Sequence, residues 1–335
     1  MSVGLSRVAV RLPGGTEPVD DVLARIGCGA MERKMFSRIY GLRDSPVLAR
    51  GERMEDLLAA AGHGALAGTT ASLVLYGHTL HMAQHDLGGD FPDRLRDRLG
   101  LHGSRFFGLS HVNCVSVLRG VEYARRYLHR PGAGPDEQVL LLGGDQGSIS
   151  DVARYIKGTT VSGDGAVGVL VNRAGGTDGT GGTHGATVPQ RYRCLAAAGA
   201  RDARFHRNLR MTAEELAAFG RACSDLVADT VRRAAEASGG SAERLDWVMP
   251  HFSNRMFWRS FSRTTGIPAD RICLDLLPER GHNFGGDALM ALEHADTAGR
   301  LRPGDRCVLV AIGQGAYVQS LVVEVLAERD EGAQP

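Results

Sequence analysis

The chain has 335 residues, enough for one large core or two smaller ones, with 43% hydrophobic and 23% charged residues. Its formal net charge of +1 supplies no global field that would draw it to nucleic acid or a membrane surface. The six cysteines (Cys28, Cys114, Cys194, Cys223, Cys273 and Cys307) form no CxxC and no paired spacing. That pattern argues against a metal site or a disulfide framework and fits a reducing cytoplasm.

In chain order, the opening "MSVGLSRVAVRLPGG" has no long apolar core, and no segment reaches the roughly 20 apolar residues of a membrane span. A cytoplasmic protein is expected. "SLVLYGH" reads as a strand ending at Gly77–His78, followed by the helical "RLRDRLGL" and the strand "RFFGL". From Cys114 the apolar residues fall at Val117, Leu118, Val121, Ala124 and Leu128, one face of a helix. The strands "QVLLLGGD" and "AVGVLVN" close the first half. Residues 173–189, rich in glycine and threonine without periodicity, read as a linker between units 1–172 and 190–335.

The second half repeats the order. "LDWVMPH" ends at His251, then come the helical "RMFWRSFSRTTGI", the strand "RICLDL", a helix from about Phe284 to Ala298, and the strands "RCVLVAIG" and "VQSLVVEV". Strands alternating with helices predict an α/β fold, and the matching order predicts a duplication. Packed about a pseudo-twofold axis, the helix beginning at Cys114 faces the helix beginning at Gly281–His282–Asn283, with His251 beside them.

Those residues carry a likeness. "SGDGAVGVLV" (162–171), "VMPHFSNR" (248–255), "RGHNFGGDALMAL" (280–292) and "AIGQGAY" (311–317), with Cys114 at a helix start, resemble the thiolase superfamily and within it the 3-oxoacyl-acyl-carrier-protein synthase III branch. The resemblance implies a five-layered αβαβα thiolase fold of two duplicated halves, working as a homodimer paired through the first half's sheet. It also implies an acyl-CoA or acyl-carrier-protein thioester as donor substrate, a small-molecule acceptor, and no permanently bound cofactor, metal, nucleic acid or membrane.

By the same resemblance, Cys114 is the nucleophile that takes the acyl group and His251 the base. The amides of Cys114 and of Gly315, in the Gly313–Gly315 loop, form the oxyanion hole. The family's asparagine slot falls on His282, or on Asn283 if one extra residue is allowed. Arg43, in a segment similar to one that holds the coenzyme A nucleotide, is a binding residue. The chain departs from the family's small residues before the cysteine with the bulkier His111 and Asn113, and at least one of the two is expected to line the pocket. A thiol at a helix N-terminus beside an imidazole has what thioester attack requires.

The expected function is an acyltransferase in specialised metabolism that passes the acyl group to a hydroxyl, an amine or a carbanion. A decarboxylative condensing enzyme and a non-catalytic partner subunit stand as alternatives. Asn254 either contacts the thioester arm or caps the helix after His251. Asp164 reads as a structural turn residue. His78, His81 and His85 read as surface or pocket-lining residues rather than a metal set, and Arg255, Arg259 and Arg263 as a solvated stripe where a carrier protein has room to dock.

Overall fold

The computed structural model describes residues 2–80, 89–174, 189–206 and 211–327. Most of the expected linker and both His81 and His85 lie outside the described residues. Among the described residues ten strands join in one sheet: β1 (Val3–Leu5), β2 (Ala9–Arg11), β3 (Leu73–Gly77), β4 (Arg105–Leu109), β5 (Val139–Asp145), β6 (Gly165–Arg173), β7 (Tyr192–Arg201), β8 (Trp247–Met249), β9 (Arg306–Gly313) and β10 (Tyr317–Val325). The principal helices are α1 (Met54–Leu66), α2 (Phe91–Leu99), α3 (Ser116–Leu128), α4 (Ala213–Ala237), α5 (Arg255–Thr265) and α6 (Asp287–Thr297).

The strand order is β8-β9-β10-β7-β1-β6-β5-β3-β4, with β2 beside β6. This order is nearly a palindrome about the β1–β7 contact, where Gly4 pairs with Arg193 and Leu5 with Tyr192. Outward from that contact, the first half runs β1, β6, β5, β3 and the second β7, β10, β9, β8. In both halves the first two steps are antiparallel and the third is parallel. The duplication expected from the order of elements is thus present in the sense of every pairing.

Strand side chains alternate between faces, and the core divides accordingly. In β5, Val139 and Leu141 face the central cluster that includes the apolar sides of α3 and α6, whereas Leu140 and Leu142 face α1 and α2. In β9, Cys307, Leu309 and Ala311 face the same central cluster, whereas Val308 and Val310 face α4 and α5. The layers are therefore α1 and α2, the first half's strands, α3 with α6, the second half's strands, then α4 and α5. This is the five-layered αβαβα thiolase fold. The α3 stripe Val117, Leu118, Val121, Ala124 and Leu128 is at most 1% exposed. Burial of each of its larger members stabilises by about 1.5–3 kcal/mol.

Two expectations need correction. "RICLDL" forms no strand: its pairing with β8 shrinks to one parallel bridge, Val248–Ile272. A 3-10 turn (Ala269–Arg271) runs directly into it, and a short helix (Leu277–Arg280) follows almost at once, so no extended run develops. The helices at Cys114 and Phe284 also begin later than the periodicity indicates. Each is preceded by a three-residue 3-10 turn, Asn113–Val115 and Phe284–Gly286. Asp164 is the turn residue it was expected to be, fully buried and accepting the amides of Leu48 (2.7 Å) and Ser148 (2.8 Å).

Candidate active site

Both central helices start from a strained residue. Asn113 has φ 52° and Phe284 φ 50°, each the first residue of its 3-10 turn. The left-handed region costs about 1–3 kcal/mol for a residue with a side chain, and for a bulky one it is a genuine outlier. The turn sets Cys114 just ahead of the partly positive end of α3, with 6% of its surface exposed. The two turns touch: a Cβ at Gly285 would come within 3.1 Å of the Cys114 carbonyl oxygen and 2.6 Å of Val117, so only glycine permits this approach.

His282 is carried to the same point by strand-like docking on residues 161–163. Its amide donates to the Val161 carbonyl (3.2 Å), and its own carbonyl accepts from Gly163 (2.8 Å). The imidazole is completely buried; Nε2 lies 3.6 Å from Cys114 Sγ and Nδ1 lies 2.6 Å from Asp287 Oδ2. A carboxylate only accepts, so the Nδ1–Asp287 contact fixes one proton on Nδ1 and turns Nε2, the atom that gains the second proton when the ring charges, toward the thiol. Burial works against a charged His282, but the adjoining Asp287 carboxylate outweighs it and, with the bond to the thiol, raises the imidazole to about 10.

Asp287 is the first residue of α6 and ties the site together. Its Oδ2 also accepts the Phe252 amide (2.7 Å), and its Oδ1 accepts the Asn283 amide (2.6 Å). Motif reasoning misses it. The available signal is its spacing, five residues after His282 at a helix start, where a carboxylate is favoured.

His251 lies beside this line rather than in it. Its ring packs edge-to-face on His282 with centroids 4.4 Å apart, and its Nδ1 stands 3.5 Å from Asp287 Oδ2 without a hydrogen bond. Burial first, then the neighbouring His282 charge, hold it well below the usual histidine range, so it is neutral near pH 7. The ring makes no hydrogen bond to Cys114; the direct thiol contact expected of the base belongs to His282. The His251 carbonyl accepts from the Trp258 indole (2.7 Å), fixing the strand end to α5.

The remaining expected residues fall in different places. Asn283 is buried, but its amide donates to the Arg280 carbonyl (3.0 Å), away from the thiol. Asn113 does not line the cavity. Its side chain donates to the Gln314 carbonyl (2.6 Å) and braces the loop holding Gly315, itself at φ 102°. Asn254 caps α5 by accepting from Phe257 (2.9 Å), donates to the Thr159 carbonyl (3.1 Å) and lines the cavity as well. Arg43 is 63% exposed at its side chain and held by Asp44 (2.9 Å) and Glu279 (2.7 Å), outside the cavity.

A cavity of about 390 Å³ opens onto Cys114 and His251. Its walls are largely apolar, with Phe219 and Cys223 of α4, Phe257 of α5 and Ile312 of β9, and the exposed Lys157 and the half-buried Tyr40 also line it. Tyr40 ends a six-residue π-helix, Met35–Tyr40, a rare form that recurs at functional sites. His251, His282 and Asp287 hold their donor atoms within 4.8 Å of one another, the spacing of a metal-binding set. The 2.6 Å Nδ1–Oδ2 contact and the two amides on Asp287 are instead the pattern of a proton-holding carboxylate–histidine pair.

The model of the 3-oxoacyl-[acyl-carrier-protein] synthase III C-terminal family matches residues 235–325, which hold His251, His282 and Asp287. Along most of its length the chain is similar to the beta-ketoacyl-[acyl-carrier-protein] synthase III of Rhizobium meliloti, 27% identical over 289 residues, covering 82% of this chain and 85% of the relative. Residues 235–325 thus match the synthase III C-terminal family, and most of the chain is similar to synthase III proteins. Solved structures agree on the fold. The 3-oxoacyl-(acyl carrier protein) synthase III of Pseudomonas aeruginosa superposes with a TM-score of 0.75 at 22% identity, covering 98% of this chain and 100% of that one. ChlB3, described as an acyltransferase, superposes at 0.80 and 19%, covering 98% of each. The similarity to the synthase III of Rhizobium meliloti supports a transferase of that type. Among the described residues no helix is long and apolar enough to cross a membrane.

Proposed function

We propose that the chain is an acyltransferase that loads an acyl group from a CoA or carrier-protein thioester onto Cys114 and passes it to a hydroxyl or amine of a small-molecule acceptor. The observation that carries this reading is the unbroken line Cys114 Sγ, His282 Nε2, His282 Nδ1, Asp287 Oδ2. His282 takes the Sγ proton, and the thiolate attacks the thioester carbonyl. The tetrahedral oxyanion is met by the amides of Cys114 and Gly315. Collapse expels the donor thiol, which takes the proton back from His282. In the second half, the acceptor's O–H or N–H gives its proton to Nε2 as it attacks the acyl carbonyl, and Cys114 leaves as thiolate. Asp287 keeps the tautomer and stabilises the imidazolium without itself taking the proton.

Asp287 makes His282 a strong proton acceptor, as attack by an O–H or N–H requires, and the imidazolium it favours is equally a donor to an enolate. One observation favours the condensing alternative: the neutral His251 beside His282 supplies a second imidazole near the thiol. The thioester is a substrate here, with no resident cofactor required. The role belongs in specialised metabolism, in the cytoplasm. Pairing into a homodimer through β4 is supported by that strand's place at the sheet edge with Phe107 55% exposed.

Intact-protein mass spectrometry after incubation with acyl-CoA and acyl-carrier-protein thioesters tests the reading. An adduct is expected on the native chain and not on Cys114→Ala. Release of that adduct by alcohols or amines supports transfer; release by malonyl thioester with loss of carbon dioxide replaces it with condensation. No adduct from any donor would favour the partner-subunit alternative.

A further inference from the structure

The thiol has a second polar neighbour that the Cys114–His282–Asp287 line does not use. The Thr79 hydroxyl lies 3.6 Å from Cys114 Sγ, as near as His282 Nε2. Thr79 comes two residues after the end of β3, and this strand end presses on the start of α3. A Cβ at Gly77 would come within 2.9 Å of the Val117 main chain. The strand end is held further by His78, whose amide donates to the Leu109 carbonyl at 3.0 Å.

What fixes Thr79 is Asp145, the last residue of β5, 2% exposed. Its Oδ1 accepts the amides of Thr79 (2.8 Å) and Leu80 (2.7 Å), and its Oδ2 accepts Thr79 again at 3.0 Å. Burial pushes this carboxyl up to about 7 against the pull of those amides, of the His282 charge and of the Thr79 hydroxyl, whose one proton turns either to Asp145 or to the sulfur, so its placement carries a cost. In return, the carboxylate pins the main chain of residues 79 and 80 at the thiol.

We propose that Thr79 is a further catalytic residue whose hydroxyl donates a hydrogen bond to the Cys114 sulfur and stabilises the thiolate, with Asp145 as the positioning residue that holds it there. The assignment rests on Cys114 being the nucleophile. When His282 removes the Sγ proton, the sulfur becomes an anion within a buried site, where a bond to a charged acceptor is worth more than one to a neutral one. The same donor acts twice, because Cys114 is again expelled as thiolate when the acceptor has attacked.

The test is the rate of Cys114 alkylation by iodoacetamide across pH, with the modified residue located by peptide mapping, so that no acyl donor is needed. Thr79→Val is expected to react about tenfold more slowly than the native chain at neutral pH and to catch up at alkaline pH, where the thiolate forms without help. Thr79→Ser should stay near the native profile, and Asp145→Asn should shift it in the same direction as Thr79→Val. Thr79→Ala repeats the measurement should the valine variant not fold. A Thr79→Val profile identical to the native one, or slower by the same factor at every pH as a packing defect would be, overturns the role of Thr79 and leaves the nucleophile standing. Native Cys114 reacting no faster than the half-buried Cys28 would instead overturn the nucleophile, and Thr79 with it.

Discussion

The two central helices begin in the same way and do opposite chemistry. Asn113-Cys114-Val115-Ser116 and Phe284-Gly285-Gly286-Asp287 share a left-handed first residue, a 3-10 turn and a helix start at the fourth position. The first turn presents a thiol at the second position. The second has glycine there, which lets the turns touch, and a carboxylate at the fourth, which reaches back to His282. Duplication supplied one backbone device twice, and divergence at two positions turned one copy into the nucleophile's seat and the other into the base's support. The outer edges differ too: β4 is a five-residue strand, whereas its counterpart at Ile272 is a single bridge.

The comparison is most sharply broken by Cys114→Ala, expected to abolish acyl-enzyme formation entirely in the mass-spectrometric assay. Next is Asp287→Asn, which removes the charge and frees the His282 tautomer. Acylation should slow about 10³-fold or more with substrate affinity little changed, as read by single-turnover kinetics. His251→Ala, beside the line rather than in it, is expected to slow the same step only about tenfold. Equal losses in the two variants would make His251 the base after all.

A smaller effect lies in stability. His282 is raised from 6.5 to about 10, so between those values the native chain holds a proton that the unfolded chain has lost. Stability is fully present below about 6.5 and falls as pH rises toward 10. The melting temperature should therefore decline from pH 6.5 to 9, and Asp287→Asn should flatten that slope; an unchanged slope in the variant would assign it to another group. His251, held below its usual range, is neutral in the native chain; it offsets the slope near pH 6.5, where the unfolded imidazole is still partly protonated, and adds little above about pH 7.5. The mildest change is Phe107→Asp on the exposed edge strand. It is expected to convert a dimer to monomer by sedimentation while leaving the melting temperature within a few degrees, and a native chain already monomeric would remove the dimer proposal.

Much of this architecture is legible in the sequence. Periodicity marks the α3 stripe, apolar runs mark β3, β5, β6 and β9, and the repeated order of elements points to two halves facing across an axis. Cys114, His251 and His282 can be placed near one another from that symmetry alone. Side-chain direction is not legible. Asn283 is adjacent to His282, yet its amide turns to the Arg280 carbonyl; Asn113 is adjacent to Cys114, yet it braces Gln314. Neighbours in sequence at a turn point different ways, and the dihedrals that decide it are set by packing from the other half. Arg43 matches a motif, but two carboxylates, one of them 236 residues away, claim its guanidinium.

The sequence by itself determined the alternation of strands and helices, their repeated order and the thiol at a helix start, because these follow from local spacing and from which faces must be buried. Only the tertiary structure decided which histidine meets the thiol. Both are buried next to Asp287, and the choice rests on a difference between a 2.6 Å hydrogen bond and a 3.5 Å approach. Packing of two distant segments sets that difference, and it makes one imidazole a base and leaves the other neutral.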